Sequence, residues 1–465
     1  MITKDEIHAK SLEFGIHHAN VQRDYVFGWL LVGLYTVSSL KDVLVLKGGN
    51  CFRKAYFPTT RFSHDLDFST ESSVDEEVLQ SEFNRVCEFV QAQSGVVFDL
   101  ARNRVQLQNE IDHKRRVFDV RLYFKDFYGN ADHITISLAI DITEFDRLYL
   151  PVQERRLIHP YSDADTCTIA VRCTKLEEIL ASKLKCLLQR RHTADLYDLV
   201  YSVFINREID VNRGEVLSTF FRKTIYERHP GVARQLLLDL PLGLLRTAWS
   251  KYIVAPIQGV LDFDESLTQF KEIINEIFGG ETFVGRGAVA FFPSQFRNPI
   301  LQAGSELKLL NIRYDGQVRM VEPYSLVYKR RMDGHAEEYL YVWDRTGGRT
   351  SGPGLKTFVN SKIQSIELTD DKFEPRYPVE LSKAGEYGNK TYFSRPFGAG
   401  SGAGSGSRRA RFAMLRHGWR YVTECSYCGR RFTRMRRSTR LNRHKDRYGN
   451  DCYGRIGHIV DQQYI

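Results

Sequence analysis

The chain has 465 residues, of which 42% are hydrophobic and 26% are charged, and its formal net charge is +9. This length accommodates two to four domains with buried cores, and the composition is ordinary for a globular protein. The most apolar segment, residues 26–37, is too short to span a bilayer. The charged segment MITKDEIHAK at the N-terminus lacks the apolar stretch of a secretory signal. These features argue against a membrane-spanning or secreted protein, and we expect a cytoplasmic protein without membrane partners.

The positive charge is concentrated at the C-terminal end. Residues 408–465 contain 15 Lys and Arg against four Asp and Glu, a net charge of +11, which leaves −2 of the total for the preceding 407 residues. Such a local excess of basic residues favours a polyanionic partner. The eight cysteines are five scattered ones and three near the end, which argues against a disulfide framework and for one metal site.

The N-terminal half of the chain alternates helix and strand patterns. Helical spacing of apolar residues predicts a helix over 11–42, and a buried-strand pattern over 42–52 ends in Gly48 and Gly49. A strand with two aspartates follows. The elements predicted after it are a helix over 75–94, two strands within 115–144, two helices within 174–204 separated near His192 with Thr193 as N-cap, and further helices over 214–277.

The strand with two aspartates has the sequence RFSHDLDF, residues 61–68. Because alternate strand residues share a face, Ser63, Asp65 and Asp67 are expected to point the same way. Two carboxylates this close repel each other unless a cation lies between them. Strand carboxylates next to a Gly-Gly turn suit metal-assisted phosphoryl or nucleotidyl transfer, since glycine lets backbone amides approach a triphosphate and a serine hydroxyl can bond a phosphate oxygen.

A third carboxylate on a neighbouring strand would complete such a metal site. Asp141 lies on the polar side of a predicted strand whose other side carries Ile140 and Ile142. Asp119, in the strand-like segment VFDVRLYF, is the alternative. We expect Asp141 to be the third carboxylate.

Four motifs in order resemble the AbiEii/AbiGii nucleotidyltransferase toxins, a family that includes the MenT toxins. The motifs are RDYVFGWLL at 23–31, LVLKGGNCFRKAYF at 44–57, RFSHDLDF at 61–68 and ASKLKCLLQRRHTADLYDL at 181–199. The resemblance covers about the first 200 residues. It departs from the family pattern at Ala194, where an arginine commonly precedes the aspartate, and Arg190 and Arg191 are the nearby candidates to replace that arginine.

The resemblance implies a polymerase-β-like nucleotidyltransferase fold that transfers a nucleotide from an NTP to an acceptor, with tRNA 3′ ends as the acceptor for some members. Carried over to this sequence, it assigns Mg²⁺ binding to Asp65 and Asp67 and a catalytic role to these two residues, Lys183 and Asp195. Asp141, from the strand pattern, completes the catalytic set. The residues expected to bind the nucleotide are Gly48, Gly49, Arg61, Ser63 and Lys183.

Residues from about 285 to 378 resemble a WYL domain, a small SH3/Sm-like β-barrel. The matching stretches are LKLLNIRYDGQVRMVEPYSLVYK, EEYLYVWD and KTFVNSKIQSIELTDDKFEP. The resemblance implies a module that senses a ligand or binds nucleic acid through exposed side chains. The candidates for these contacts are Arg319, Tyr324, Tyr339 and Lys362; the alternative is a β domain whose aromatic residues simply form its core.

The basic tail contains the ligand pattern Cys425-x2-Cys428, then His444, then Cys452. Thiolate and imidazole ligands in this order predict a closed tetrahedral Zn²⁺ site, with His458 as an alternate fourth ligand. So small and basic a segment would need the metal to fold. Arginines around the site indicate a nucleic-acid-binding zinc finger, because arginine pairs bidentately with phosphate. They are Arg430, Arg431, Arg434, Arg436, Arg437, Arg440 and Arg443.

We therefore expect an α+β protein of several parts. The predicted boundaries are 1–205 for a polymerase-β-like nucleotidyltransferase domain, 206–283 for a helical extension, 284–395 for a WYL-like SH3/Sm-like β-barrel domain, 396–418 for a flexible linker that contains GAGSGAGSGS, and 419–465 for a basic zinc-binding module.

The expected function is that of a toxin or phage-defence effector that transfers NMP from an NTP to RNA, with tRNA as the first candidate. Mg²⁺ and Zn²⁺ are the expected cofactors, and nucleic acid (RNA, or DNA for the tail) and a cognate antitoxin are the expected partners. Two alternatives stay open: a nucleic-acid-binding regulator whose nucleotidyltransferase fold senses a nucleotide, and an enzyme that transfers NMP to a protein. The combination of Asp65, Asp67, Lys183 and Asp195 favours an enzyme, because a sensor would not need both metal-binding carboxylates.

Overall fold

The structure is a computed structural model of the chain. It describes residues 2–108, 110–112, 116–127, 135–205, 209–279, 290–330, 336–348 and 351–381, and in the tail 419–425, 431–434, 439–441, 444–445, 451–452 and 457–464. For residues 204–205 and for much of the tail this description covers the backbone only.

The described helices fall into two groups along the chain: the first four precede or alternate with the strands of the large sheet, and the other seven follow its last strand. They are α1 (Lys4–Phe14), α2 (His18–Val37), α3 (Gly48–Cys51), α4 (Glu76–Ser94), α5 (Leu176–Gln189), α6 (Thr193–Val200), α7 (Arg213–Lys223), α8 (Pro230–Leu238), α9 (Arg246–Tyr252), α10 (Phe263–Phe278) and α11 (Ser294–Glu306). None of these helices combines the length and the apolarity that a bilayer crossing requires.

Two predicted helix boundaries are wrong for local reasons. The helix expected over 11–42 is divided into α1 and α2, because Gly15 adopts a left-handed conformation (φ +67°) that ends α1. The N-cap of α6 is His192 rather than Thr193. The Nδ1 atom of His192 accepts a hydrogen bond from the backbone N–H of Ala194 at 3.1 Å, so an imidazole caps the helix in place of the usual serine or threonine.

A mixed sheet forms the centre of the N-terminal half. Its described strands are β1 (Val45–Lys47), β2 (Asp65–Thr70), β3 (Arg104–Leu107), β4 (Val117–Lys125), β5 (Thr135–Glu144), β6 (Gln153–Arg156) and β7 (Ala170–Cys173). Their spatial order is β3-β4-β5-β2-β1-β7-β6. β2 runs parallel to β5 and β1 runs parallel to β7, whereas the other neighbours are antiparallel. The α+β class predicted from the sequence is confirmed.

The two faces of this sheet differ in polarity. Along β4, Phe118, Val120, Leu122 and Phe124 are buried in the core, and the residues between them are half-buried or exposed. This is the alternation expected of a strand that is covered on one side. The opposite face is therefore free to carry the polar side chains of a site.

A second sheet follows in the C-terminal half. Its described strands are β8 (Lys308–Tyr314), β9 (Gln317–Arg330), β10 (Ala336–Asp344), β11 (Gly354–Val359) and β12 (Ile363–Lys372), in the antiparallel order β11-β10-β9-β8-β12. The barrel that the WYL resemblance implies stays a prediction. The region expected to be β from residue 284 first forms α11, in which Arg297, Ile300, Leu301 and Gly304 are buried at helical spacing.

The tail contributes short strands. They are β13 (Trp419–Cys425), β14 (Arg431–Arg434), β15 (His444–Lys445), β16 (Asp451–Cys452) and β17 (Gly457–Tyr464). β13 pairs with β14 and β17, and β15 pairs with β16. The predicted Gly/Ser-rich linker segment, 398–407, lies outside the described residues.

Candidate active site

Three carboxylates converge on the polar face of the large sheet. Asp65 and Asp67 lie on β2, and Asp141 lies on the parallel neighbour β5, directly opposite Asp67 in the strand register. Each of the three half-buried side chains offers an oxygen within 4.8 Å of those of the other two. Carboxylate oxygens are the donors that Mg²⁺ prefers, and the cluster therefore fits a divalent cation.

Asp119, the alternative third carboxylate, lies on β4 directly opposite Asp141. Its carboxylate is 2.7 Å from the Nε atom of Arg121, which neutralises it. The structure thus brings Asp141 to the pair on β2 and leaves Asp119 in an ion pair on the next strand.

Both glycines after β1 are required by close contacts. Gly48 has a φ of +72°, and a Cβ atom there would lie 2.0 Å from the Oδ2 atom of Asp67. A Cβ atom on Gly49 would lie 2.7 Å from both the Nη2 atom of Arg61 and the Oγ atom of Ser63. Since contacts below 3 Å force a displacement, a side chain at either position would disturb the residues around the carboxylates.

Two hydrogen bonds fix the start of β2. The Oγ atom of Ser63 donates to the Oδ1 atom of Asp65 at 2.9 Å. The Nδ2 atom of Asn50, which is buried, donates to the backbone oxygen of Asp65 at 2.5 Å. Asn50 was not among the residues predicted from the sequence, although its position directly after the two glycines could have suggested it.

A buried network of charges lies beside this cluster. The Nζ atom of Lys183 is 2.9 Å from Asp195 and 2.8 Å from Asp198. Arg61 donates to both carboxylate oxygens of Asp198, at 2.7 and 2.8 Å. Arg190 donates to both carboxylate oxygens of Asp195, at 2.7 and 3.0 Å. We call these five residues the charge network.

The partners of the network decide its protonation. Burial would raise the pKa of Asp195, but Arg190 and Lys183 outweigh it and hold that pKa well below its usual range. Burial is likewise outweighed at Asp198, whose pKa is lowered by Arg61 and Lys183. Burial would lower the pKa of Lys183, but the two aspartates raise it. At neutral pH the network therefore holds three cations and two anions.

Arg190, and not Arg191, contacts Asp195. The sequence analysis proposed Arg190 and Arg191 as replacements for an arginine before Asp195, and the structure places Arg190 in bidentate contact with that aspartate. Arg191 points elsewhere, since its guanidinium donates to Ser305. The choice between Arg190 and Arg191 was open from the sequence, because the contact spans a helix break and depends on how α6 starts.

Residues of the C-terminal half hold the connection between α5 and α6. The Nε2 atom of Gln189 donates to the backbone oxygen of Leu326 at 2.6 Å, and the backbone N–H of Arg191 donates to the backbone oxygen of Leu381 at 2.9 Å. Buried Arg297 adds a 2.5 Å bond from its Nη1 atom to the backbone oxygen of Leu188. We call Gln189–Arg191 the clamped segment.

The side chains expected to bind a ligand in the second sheet are engaged in different ways. Arg319 pairs with buried Asp344 at 2.9 Å. Tyr324 is fully buried and donates to Glu322 at 2.7 Å, so its prediction as an exposed contact is wrong. A strand tyrosine can be buried when a carboxylate within the core accepts a hydrogen bond from its hydroxyl. Lys362 is exposed and lies 3.9 Å from Asp315.

The described part of the tail brings three of the predicted metal ligands together. Ligand atoms of Cys425, His444 and Cys452 all lie within 4.8 Å of one another, and the two sulfurs are 3.8 Å apart. Two Zn–S bonds of about 2.3 Å at the tetrahedral angle place their sulfurs about 3.8 Å apart, so the observed spacing fits zinc. Cys428 lies outside the described residues, and so does the side chain of His458.

The predicted nucleic-acid-binding arginines of the tail are described in part. Arg440 is exposed. Arg431 and Arg434 lie on β14, where their side chains are not described. The others lie outside the described residues: Arg430, Arg436, Arg437 and Arg443.

Comparison with known proteins adds a family assignment. The family model described as "Nucleotidyl transferase AbiEii toxin, Type IV TA system" matches residues 29–276, more than half of the chain. The matched region includes all three strand carboxylates and the whole charge network. A search of curated proteins gave no significant match.

Solved structures give weaker likenesses. The chain is 19% identical to the nucleotidyltransferase toxin MenT4 from Mycobacterium tuberculosis H37Rv, with a TM-score of 0.38 over 60% of this chain and 90% of that one. It is 18% identical to a protein from H. pylori described as a nucleotidyltransferase, with a TM-score of 0.34 over 56% of this chain and 95% of that one. TM-scores below 0.5 do not establish a shared fold, so the family assignment rests on the family model.

Proposed function

Because the chain belongs to the AbiEii nucleotidyltransferase toxin family of type IV toxin–antitoxin systems, we propose that it transfers NMP from an NTP to a hydroxyl of an RNA acceptor. The first acceptor to test is tRNA. The observation that carries the proposal is the convergence of Asp65, Asp67 and Asp141 next to two glycines that no other residue can replace without displacement.

The proposed reaction balances without a further reactant. The acceptor oxygen forms a bond to the α-phosphorus of the NTP, the bond between the α-phosphorus and its bridging oxygen breaks, and pyrophosphate leaves. The hydroxyl proton passes to solvent by way of the carboxylate cluster. A Mg²⁺ ion held by Asp65, Asp67 and Asp141 would neutralise phosphate charge during this step.

The residues around the carboxylates suit the triphosphate. Gly48 and Gly49 leave room for the side chains of Asp67, Arg61 and Ser63 beside their backbone, and we propose that the phosphates approach the amides of this turn. Arg61 and Lys183 contribute positive charge next to this turn, and the network as a whole carries one excess cation. We propose that this excess charge and Ser63 hold the phosphates, and that Asp195 and Asp198 fix the positions of Lys183 and Arg61.

The test is a labelling assay with the purified full-length protein, Mg²⁺, total tRNA and each α-labelled NTP in turn. Asp65→Asn is the inactive variant. Asp371→Asn, which alters an exposed aspartate on β12 of the second sheet, is the matched control. Label on tRNA with the wild type and the control but not with Asp65→Asn supports the proposal and names the nucleotide.

Other outcomes of this assay contradict it. Label on a protein instead of RNA would favour a protein-modifying enzyme. If the RNA stays unlabelled while the wild type, Asp65→Asn and Asp371→Asn bind it equally well, a regulator that senses nucleotides would be favoured.

The tail and the partners complete the proposal. We propose that Cys425, Cys428, His444 and Cys452 hold a structural Zn²⁺ ion, and that the surrounding arginines bind nucleic acid. Because the family belongs to type IV toxin–antitoxin systems, we propose a cognate antitoxin as a partner and action in the cytoplasm, where NTPs and RNA are available.

A further inference from the structure

The polar face of the large sheet carries a group of basic side chains beyond the carboxylates. On β4, Arg121, Tyr123 and Lys125 alternate with buried residues and so share the face of Asp119. On β3, Arg104 lies directly opposite Arg121. Arg102, just before β3, lies over the ring of Tyr123. We call this group of five residues, Arg102, Arg104, Arg121, Tyr123 and Lys125, the arginine track.

The strand register fixes the position of the arginine track relative to the carboxylates. Arg121 lies opposite Ala139, which in turn lies opposite Asp65. Neighbouring strands are about 4.8 Å apart and alternate residues on a strand about 6.7 Å apart, so the track starts within about 10 Å of Asp141. Burial lowers the pKa of Arg121, but Asp119 outweighs burial and raises it, and Asp141 and Asp65 add to the rise.

The geometry of nucleotidyl transfer indicates from which side the acceptor reaches the carboxylates; this inference rests on the proposed function. The two glycines and the charge network lie on the β1 side of the carboxylates, and the pyrophosphate would leave on that side. In an in-line displacement the attacking oxygen approaches from the side opposite the leaving group. The acceptor must therefore arrive from the side of β5, β4 and β3, where the arginine track lies.

The side chains of the track have the chemistry of a single-stranded nucleic acid site. The guanidinium carbon of Arg102 lies 4.4 Å from the ring centre of Tyr123, and its Nη1 atom donates to the Oγ1 atom of Thr135 at 2.8 Å. This holds a flat cation on an aromatic ring, a surface on which a base can stack. Arg104 and Lys125 are exposed and available to phosphates.

The charge balance of the track is positive. Asp119 pairs with Arg121 at 2.7 Å, and Asp99 lies 4.0 Å from Arg102. The four cations are thus opposed by two carboxylates. An exposed surface of this kind attracts a polyanion and is weakened by salt.

We propose that the arginine track binds the single-stranded end of the RNA acceptor and aligns its terminal hydroxyl with the carboxylate cluster. Phosphates contact Arg104 and Lys125, and a base near the end stacks on the Arg102–Tyr123 pair. The track acts next to the reacting atoms, so it is distinct from any binding by the basic tail.

The test compares two double variants with the same change of charge. Arg104→Glu with Lys125→Glu alters the track, and Arg222→Glu with Lys271→Glu alters exposed residues of α7 and α10 as the control. Thermal unfolding of both variants checks that they fold. The track variant is expected to bind labelled tRNA at least about tenfold more weakly in the absence of NTP, with a salt slope lower by about two, as the loss of two phosphate contacts requires.

Kinetics and crosslinking separate the track from the tail. The track variant should raise the KM for tRNA and leave the KM for NTP unchanged. In the wild type, an RNA with 4-thiouridine at its 3′ end should crosslink to residues 102–106 or 121–125. Crosslinks found only within 419–465, or equal tRNA KM values for the two double variants, would overturn the proposal.

The outcomes for the track and for the proposed function can be told apart. If the wild type labels RNA and the track variant behaves like the control, the acceptor binds elsewhere and the proposed function stands. If the wild type labels no RNA, the proposed function fails first, and the track proposal fails with it.

Discussion

Single residues control the carboxylate cluster, and Gly48 is the clearest case. It combines a left-handed backbone with a position directly against Asp67, where a Cβ atom would be 2.0 Å from Oδ2. Gly48→Ala should cost about 1–2 kcal/mol of backbone strain and also displace Asp67. We expect the labelling activity to be lost while the protein still folds, as measured by the assay and by thermal unfolding.

Gly316 provides a matched control for this substitution. Its φ of +78° is similar, but a Cβ atom there would meet nothing within 4 Å. Gly316→Ala should therefore show the same strain and retain its activity. Equal activity of the two variants would show that Asp67 tolerates displacement and would contradict its role in metal binding.

Asp198 is the residue on which the charge network depends for stability. Asp198→Asn leaves Arg61 and Lys183 buried with one neutralising carboxylate fewer. Removing one partner of a buried ion pair costs about 3–5 kcal/mol in the free energy of unfolding. Denaturant unfolding of the wild type and the variant measures this difference, and a loss below about 1 kcal/mol would show that the network contributes little.

The lowered pKa of Asp198 also makes the stability of the protein depend on pH. The pKa of Asp198 is lower in the folded state than the value of about 3.9 in the unfolded chain. Its contribution to stability is thus fully present above about pH 4 and is lost as the pH falls through the folded pKa. Thermal unfolding at a series of pH values should show a smaller acid-induced loss for Asp198→Asn than for the wild type.

At the scale of elements, the connection between α5 and α6 decides whether Asp195 is held in place. Arg190 donates two charge-assisted hydrogen bonds to Asp195, and such bonds contribute about 1.5–3 kcal/mol each. Arg190→Ala should lower the turnover number at least about tenfold, and Arg190→Lys should recover part of it by restoring the charge without the bidentate geometry.

A purely structural role of Arg190 would give a different result. Both variants would then lose stability in proportion to activity. We expect instead that the activity of Arg190→Lys and Arg190→Ala differs more than their unfolding temperatures do. Arg191→Lys, whose side chain contacts Ser305 rather than Asp195, serves as the control.

Periodicity predicted the elements that carry the carboxylates. The two-residue alternation of β2 placed Ser63, Asp65 and Asp67 on one side, and the polar side of β5 selected Asp141. What periodicity cannot predict is which side chains meet across the fold. The capping of α6 by His192, the contact of Asn50 with β2 and the bonds from Arg190 to Asp195 all depend on tertiary packing.

The register of edge strands was equally out of reach for the sequence. A strand pattern shows that Arg121 and Tyr123 share a face, but not that Arg104 lies opposite Arg121. Tyr324 was a candidate for an exposed contact, with a core position as the alternative; it is buried, and its hydroxyl donates to Glu322, a charged residue within the core of the second sheet. Charged side chains in a core are uncommon, so composition gave no reason to expect it.

At the scale of the whole molecule, the tail is predicted to depend on metal. Its described apolar cluster consists of Leu441 and Phe432 packed around Cys425 and Cys452, too small a core to fold alone. The purified protein should contain about one zinc ion per chain by elemental analysis. Cys452→Ser should lose the metal and make the tail sensitive to protease while the rest of the protein unfolds at an unchanged temperature.

Cys186→Ser, which alters a half-buried single cysteine on α5, is the control for this measurement. It should keep its zinc. Full metal content in Cys452→Ser would show that the cysteine is not a ligand.

The clamped segment also has a consequence for the order in which the protein is synthesised. Arg190 belongs to the N-terminal half, but its neighbours are held by Leu326 and Leu381. A nascent chain that has released the carboxylates and the charge network therefore lacks these anchors for about 180 further residues, roughly 10–40 s at ribosomal speed. We therefore expect the nascent chain to lack labelling activity during that interval, and chains stalled before and after residue 381 should differ accordingly in labelling activity.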